Sequence, residues 1–575
     1  MAILFDKCLD LVPSLVNMKA VINMIRITVF LICLFGLSFS CTEAKKPPPN
    51  ILWITCEDIS PTLAMYGDST AHTPALDKLA AEGLIFDNAF TTVGVCAPSR
   101  SSIITGMYPT SIGTQNMRTG FDVIGWGRRK YDKPFGAKDI EGHDIPLYSA
   151  VVPPEVKCFT EYLRKEGYFC TNNPKTDYQF AAPVSAWDEN GFDAHWKHRE
   201  KNQPFFAVFN LGVTHESMIW RNKDKPLTVD PATVPLPPYF PEDSIIRRDV
   251  ARNYSNIELM DKQVAALLKE VEDAGLMDNT IVFFYSDHGG PLPKGKREHY
   301  DVGLKVPFIV RYPDGSLTGR TDEIISFVDL APTILSLAGI PVPDYMQGKA
   351  FLGKQKSELP RHYAFGSGDR FDEFPDRIRT VRDSRYRLVK NFYPELPPYK
   401  DVAYRKNMDL MNELLALNKE GKLTGIPAQW FKPTKPPFEF YDTKTDPYNV
   451  HNLVNEPEYS GKIEELKDAL DTWMMQVGDM AETPEYQMIM EMWPGGIQPV
   501  CPAPVVDQKG KKISISTDLV GASLVYIVSD STITPDLDAG WLPYQKTIKL
   551  RTGQHAYFMN TRIGFADSEI VEEER

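Results

Sequence analysis

Thr280 to Gly290 reads TIVFFYSDHGG, an unbroken apolar run that stops abruptly at Ser286-Asp287-His288. A strand apolar on both faces must be covered on both faces, which is the signature of a parallel sheet sandwiched by helices. Four further runs share this character: NILWITC at 50–56, YFCTN at 168–172, PFFAVFNLGV at 204–213 and VPFIVRY at 306–312. Helical patterns separate them, among them TPALDKLAAEGL, VARNYSNIELMDKQVAALLKEVEDAG and VDLAPTILSLAGI. The alternation predicts an α/β fold with a mixed, largely parallel sheet between helical layers.

The polar residues just past these runs carry the chemistry. The run at 50–56 ends in Glu57-Asp58, that at 168–172 leads to Lys175-Thr176-Asp177, and that at 204–213 to Thr214-His215-Glu216. Ligands of open α/β sheets sit outside the carboxyl ends of the strands. One charged strand end is common; four converging ends imply a site. Glu57, Asp58 and Asp287 together place three carboxylates at one edge, where mutual repulsion calls for a cation, with His288 as a nitrogen ligand. Hard oxygen donors favour Ca²⁺ or Mg²⁺, and the imidazole also admits another divalent ion.

A second stretch, Thr91 to Gly113, holds Cys96-Ala97-Pro98-Ser99-Arg100 ahead of a helical run. Pro98 suits a first helical turn, exposed N–H groups there attract anions, and Arg100 adds a fork of donors. A thiol so placed is acidic and nucleophilic, so a cysteine hydrolase is a reading of these residues in its own right.

Composition bounds the alternatives. The 575 residues exceed one ordinary core, and a net charge of −13 argues against a nucleic-acid binder. Eight cysteines, two of them before Cys41, make no disulfide framework. Residues 1–40 read as a signal peptide of the lipoprotein type, with Leu37-Ser38-Phe39-Ser40 before an anchor at Cys41 and a proline-stiffened tether over 41–49. The remainder divides into a catalytic domain at 50–380, a C-terminal subdomain at 381–495 and a small β module at 496–575, where short strands alternate with Gly and Asp turns.

CAPSRSSIITG matches the signature of the type I sulfatases, and the resemblance runs from about Pro49 to Trp473. PNILWITCEDIS is similar to that family's first metal strand and FFYSDHGG to its second. KGKREHYDVGLKVPFIV resembles its lysine segment, and the spacing of PLPKGKREHY points to the branch near the heparan N-sulfatases. The resemblance implies an alkaline-phosphatase-like fold, Ca²⁺, and conversion of Cys96 to formylglycine by a formylglycine-generating enzyme. One hydroxyl of the hydrated aldehyde would attack sulfur and the other would collapse the intermediate. It further implies that Arg100, Lys175 and Lys296 meet the sulfate oxygens and that His215 protonates the leaving group. The chain departs from the family in three places: Glu57 stands where Asp is usual, His288 where Asn is common, and Asp177 where a histidine assists breakdown of the intermediate. Gln115 and Arg118, just after the active helix, are expected to face substrate.

The expected protein is an exported bacterial lipoprotein, periplasmic or surface-anchored, touching membrane only through its lipid. It would hydrolyse sulfate esters, or N-sulfate, of a glycan such as ulvan, another algal polymer or a glycosaminoglycan. Two rivals remain open: a phosphonate or phosphodiester hydrolase with the same modified cysteine, and a glycan-binding lipoprotein whose Cys96 stays a thiol.

Overall fold

The computed structural model describes residues 47–120, 134 and 136–575; the signal segment and anchor Cys41 lie outside the described residues. Eight strands build the main sheet: β1 (Asn50–Cys56), β2 (Leu84–Phe90), β3 (Phe169–Asn173), β4 (Glu189–Asn190), β5 (Phe205–Leu211), β6 (Thr280–Ser286), β7 (Phe308–Arg311) and β8 (Gly319–Ser326). Their spatial order is β4-β3-β5-β1-β6-β7-β2-β8. All pairings are parallel except those of β7 with β6 and β2. The apolar run at 306–312 therefore forms a strand as expected, but one that runs backwards, because burial on both faces says nothing about direction.

Alternation along each strand feeds two cores. Ile51, Trp53, Phe206, Phe283 and Tyr285 point to one face, under α3 (Phe159–Lys165) and α5 (Leu330–Ala338). Leu52, Ile54, Phe205, Val282 and Phe284 point to the other, under Ile257, Met260 and Val264 of the long helix α4 (Ser244–Asp273). The stretch TPALDKLAAEGLIFDNAF splits into α1 (Pro74–Glu82) and β2. Gly83 makes the break: a Cβ there would sit 2.8 Å from the Val310 carbonyl, so β2 starts against β7 where no side chain fits.

Cys96–Thr105 forms α2, whose ten residues are all buried. A second, antiparallel sheet comprises β9 (Ala364–Gly368), β10 (Ile378–Arg382), β11 (Tyr386–Asn391) and β12 (Phe438–Asp442), with α6 (Ser460–Val477) packed on it through Leu466, Leu470 and Trp473. This sheet begins ahead of the boundary expected after residue 380, which falls inside β10.

Residues 505–574 fold as two small antiparallel sheets. Residues 49–575 nonetheless form one compact unit. Side chains at and beside α3 make the junction: Lys157 Nζ donates to the Gly521 carbonyl at 2.6 Å, and Arg164 Nη2 to the Trp541 carbonyl at 2.6 Å. The five cysteines in this unit are all free and buried, so Cys158 and Cys170 are unpaired core thiols.

Gly521 sits at φ +81 with its missing Cβ 2.3 Å from the Pro154 carbonyl. Gly521→Ala is expected to cost about 1–3 kcal/mol from the left-handed backbone alone, and the clash adds to it. Thermal unfolding checks this, a lowered Tm being the expected result and an unchanged one showing that the β module is not clamped on Pro154.

Candidate active site

The site is assembled by register. Cys56 of β1 lies opposite Leu211 of β5 and Ser286 of β6, so the residues after all three strands emerge side by side. β1 delivers Glu57 and Asp58, β6 delivers Asp287 and His288, β5 delivers Asn210 and then His215 and Glu216, and β3 leads to Lys175 and Asp177. The loop from Gly289 to Arg297 folds back over them. A Cβ on Gly289 would lie 2.2 Å from the Val302 carbonyl, so this backbone packs directly against its neighbour and brings Lys296 inward.

Cys96 opens α2 in the middle of this cluster, with Sγ 3.3 Å from His288 Nε2. His288 Nδ1 is held by the Gly289 carbonyl at 2.9 Å, which turns Nε2 towards Asp58 Oδ1, 3.1 Å away. One turn along, Arg100 Nε donates to Asp287 Oδ2 at 3.0 Å and Nη1 to Asn210 Oδ1 at 2.6 Å. Its Nη2 is buried without an acceptor. Lys175 Nζ donates to Glu57 Oε2 at 2.7 Å and stands 3.5 Å from Asp177 Oδ2. Lys296 Nζ bridges both oxygens of Asp58 at 3.0 and 2.8 Å. His215 Nε2 is 3.8 Å from Glu57 Oε2, its Nδ1 fixed by Ser217 Oγ at 2.8 Å.

Electrostatics follow from that packing. Burial alone would push the Cys96 thiol up, but Lys175, Lys296 and His288 overcome it and bring it down to about 6. Burial opposes ionisation of Asp58 too, yet Lys296 and His288 hold its carboxyl well below the usual range. Asp287 is drawn down to about 2 by His288 and Arg100 against its burial. His288 is pushed up to about 10, Asp287 and Asp58 outweighing the desolvation of its cation.

Of the expected residues, Glu57, Asp58, Cys96, Arg100, Lys175, Asp177, His215, Asp287, His288 and Lys296 come together here. Gln115 departs from expectation. It is 2% exposed, its amide nitrogen lies 3.6 Å from Met488 Sδ, and the cavity it borders is lined with Asp369, Arg370 and Glu485 and not with Cys96. Arg118 is half-buried, its Nε donating to Asp372 Oδ1 at 2.9 Å.

Four partners were missed. Glu216 takes Arg297 in a two-pronged pair at 2.9 and 2.9 Å and lies 3.4 Å from Lys296. Arg297 continues to Asp372 Oδ2 at 2.6 Å, and Asn210 carries Arg100. Glu216 closes the strand-end triplet Thr214-His215-Glu216 and Arg297 follows Lys296, but neither is given a role of its own by the sequence; nothing in the sequence marks Asp372 or Asn210.

The donor set suits a divalent cation. Ligand atoms of Glu57, Asp58, Cys96 and His215 lie within 4.8 Å of one another, as do those of Cys96, Asp287 and His288. Carboxylate oxygens with an imidazole nitrogen are donors for such an ion.

A reactive side chain at a buried helix start, facing acidic strand ends and fringed by fixed cations, defines a hydrolase of tetrahedral oxyanion esters. The family model described as Sulfatase matches residues 49–340, and one described as N-sulphoglucosamine sulphohydrolase, C-terminal, matches residues 294–423. An ulvan-active sulfatase of Formosa agariphila is 43% identical over 92% of each chain. Human N-sulphoglucosamine sulphohydrolase is 28% identical over 76% of this chain and 91% of its own. A solved Bacteroides thetaiotaomicron structure, from work on metabolism of multiple glycosaminoglycans, aligns with TM-score 0.53 at 17% identity over 76% of this chain and 98% of that one, a likeness of fold. The chain belongs to the sulfatase family and is a sulfuric ester hydrolase. The family uses formylglycine and a divalent metal.

Removing the charge of Glu216 leaves Lys296 and Arg297 buried without their shared counter-ion. Glu216→Gln is expected to cost about 3–5 kcal/mol, read by chemical denaturation; a loss under about 1 kcal/mol would show that solvent reaches the pair. A histidine that ligates must shed its Nε2 proton. With His288 protonated below about 10, apparent affinity for a divalent cation that it ligates is expected to rise about tenfold per pH unit from pH 6 to 8. Calcium-dependent Tm shifts measure it, and a pH-independent affinity would place His288 outside the coordination sphere.

Proposed function

We propose that this enzyme removes sulfate from a sulfated polysaccharide or its oligosaccharides, ulvan being the first candidate and glycosaminoglycans, including N-sulfated ones, the second. The likeness to the Formosa agariphila enzyme along nearly the whole chain supports the first, and that to the human sulphohydrolase the second. One observation carries the reading: Cys96 lies at the start of a buried helix, 3.3 Å from His288, with cations on either side.

In this reading Cys96 is converted to formylglycine, whose hydrate supplies the nucleophilic hydroxyl. Glu57, Asp58, Asp287 and His288 would hold a calcium ion, which would supply positive charge for the sulfate oxygens. The chain's own residues do the rest. Arg100 offers the buried Nη2 that the fold leaves without an acceptor, and Lys175 and Lys296 place two ammonium groups beside Cys96, so charge developing on the sulfate meets donors already fixed in place. His215 is steadied at Nδ1 by Ser217 and keeps Nε2 for a proton to the leaving oxygen. Asp177, its Oδ2 3.5 Å from Lys175 Nζ, accepts the proton that the family's histidine would take. Export and anchoring through Cys41, with a proline-stiffened tether before β1, would set this site in the periplasm or at the cell surface, where polymer fragments arrive.

Sulfate release from ulvan oligosaccharides and from N- and O-sulfated glycosaminoglycans, with calcium and with a chelator, tests the reading. Release from at least one panel member is expected, lost with chelator and abolished by Cys96→Ala in a protein that still melts cooperatively. The Cys96 peptide should carry the mass change of thiol to aldehyde. Undiminished activity in Cys96→Ala, or faster turnover of an aryl phosphonate than of an aryl sulfate, would overturn it.

A further inference from the structure

His215, the proposed proton donor to the leaving oxygen, has one ring contact among the described residues. It is Tyr404, whose centroid lies 6.3 Å from that of the imidazole at an interplanar angle of 59°. Trp220, on the short helix Ser217–Arg221 after β5, meets the same tyrosine edge to face at 5.2 Å. The guanidinium carbon of Arg118 stands 5.8 Å from the Tyr404 centroid, its Nε held by Asp372 at 2.9 Å. Trp220 follows a strand of the main sheet and Tyr404 comes from the C-terminal subdomain, so two parts of the fold bring aromatic rings together beside His215.

The tyrosine is held firmly, yet not by a core. Trp220 rests one flank on the core under α4, whereas Tyr404 joins no hydrophobic cluster among the described residues. Both rings are half-buried. The Tyr404 hydroxyl and Trp220 Nε1 make no hydrogen bond among the described residues, and neither atom is enclosed, so both polar tips are open to solvent. The turn Ala403–Asn407 that carries Tyr404 is nonetheless fixed at each end, since Val402 and Met408 are fully buried. Within it, Arg405 Nη2 donates to the Lys296 carbonyl at 3.1 Å, and the Ala403 N–H donates to Glu373 Oε1 at 2.5 Å. The backbone of a lysine at the catalytic centre therefore anchors the residue next to this tyrosine.

Tyrosine and tryptophan each offer an apolar body with a polar tip, which suits a partner that is apolar on one side and wet on the other. A pyranose has that character, with C–H groups across the ring and hydroxyls at its rim. In a sulfate ester of a glycan, the sugar is joined to sulfur through the oxygen that His215 would protonate. Its ring therefore begins beside the imidazole, where Tyr404 and Trp220 stand. Fixed cations are enough to grip a sulfate; a pair of rings is of use only to the group behind it.

We propose that Tyr404, braced by Trp220 and Arg118, is a specificity-determining residue that seats the pyranose carrying the scissile sulfate. The sugar's C–H surface lies against the tyrosine ring, and its hydroxyls meet the Tyr404 hydroxyl and Trp220 Nε1. This rests on the glycan-sulfatase reading and adds to it the surface that recognises the leaving sugar.

The full chain carrying Cys96→Ala is titrated by calorimetry with ulvan oligosaccharides, with N-sulfoglucosamine and with inorganic sulfate. Adding Tyr404→Ala is expected to weaken binding of the sulfated sugar by about tenfold and to leave inorganic sulfate unchanged, because the bare anion reaches the cations without touching the ring. Tyr404→Phe, which keeps the ring and loses the hydroxyl, should fall between the two. Tyr404→Leu takes the place of Tyr404→Ala should that variant fail to melt cooperatively. With Cys96 intact, the loss should appear in KM and not in kcat. Equal weakening of sugar and inorganic sulfate would show that Tyr404 only props the anion site and would overturn the proposal. Undiminished sugar binding in a folded variant, or no binding of either sugar, would overturn it too. Failure of the sulfatase reading shows separately, as no sulfate release by the unaltered protein from any ester.

Discussion

A chain of alternating buried charges organises this molecule: Asp58, Lys296, Glu216, Arg297, Asp372 and Arg118, each paired with the next at 3.4 Å or less. Taking any one of these groups out of water alone would cost several kcal/mol. The cost is met because each group within the chain has an opposite charge on both sides, and because the peptide N–H of Glu216 adds a further contact to Asp58 at 2.7 Å. The chain crosses from the end of β1 to the loop after β9, so the main sheet and the second sheet share one electrostatic seam. Position and ionisation are fixed together: the same contacts that hold Lys296 beside Cys96 keep it charged.

The backbone is bent to make this possible. Asp58, Arg118, Asp177, Arg297 and Asp372 all adopt positive φ without being glycine. Each such residue costs of the order of 1–3 kcal/mol unless its surroundings over-determine it. Here the ion pairs do so. Four of the five belong to the charge chain, and the fifth, Asp177, stands beside Lys175. Strain and charge pairing are two sides of one arrangement, in which a side chain is aimed inward at the expense of an ordinary backbone.

Much of this is legible in the sequence, for a definite reason. Apolar runs at 50–56, 204–213 and 280–286 bury both faces, so their composition alone marks them as interior strands, and the polar residues that stop them must then lie at a sheet edge. β8 is invisible there because its first half, Gly319 to Glu323, is exposed and polar at the margin of the sheet. β2 is hidden behind a helical pattern that ends only at Gly83. Asp372 and Asn210 leave no trace because their role comes from a partner far away in sequence, Arg297 and Arg100 respectively, and no local pattern encodes that meeting. Gln115 differs for the converse reason: proximity in sequence to the active helix does not say which way a side chain turns, and this one borders a cavity away from Cys96.

One property of α2 reaches beyond catalysis. All ten of its residues are enclosed, and Cys96 itself is 1% exposed. Another protein cannot grasp an extended segment around that thiol once the sheet and its helices have closed. The conversion of the sulfur proposed above would therefore have to precede closure of the core around it. A chain that folded before such a conversion would keep its thiol sealed inside, so under the proposed reading the yield of active enzyme would depend on the order of two events as well as on the quality of the finished fold.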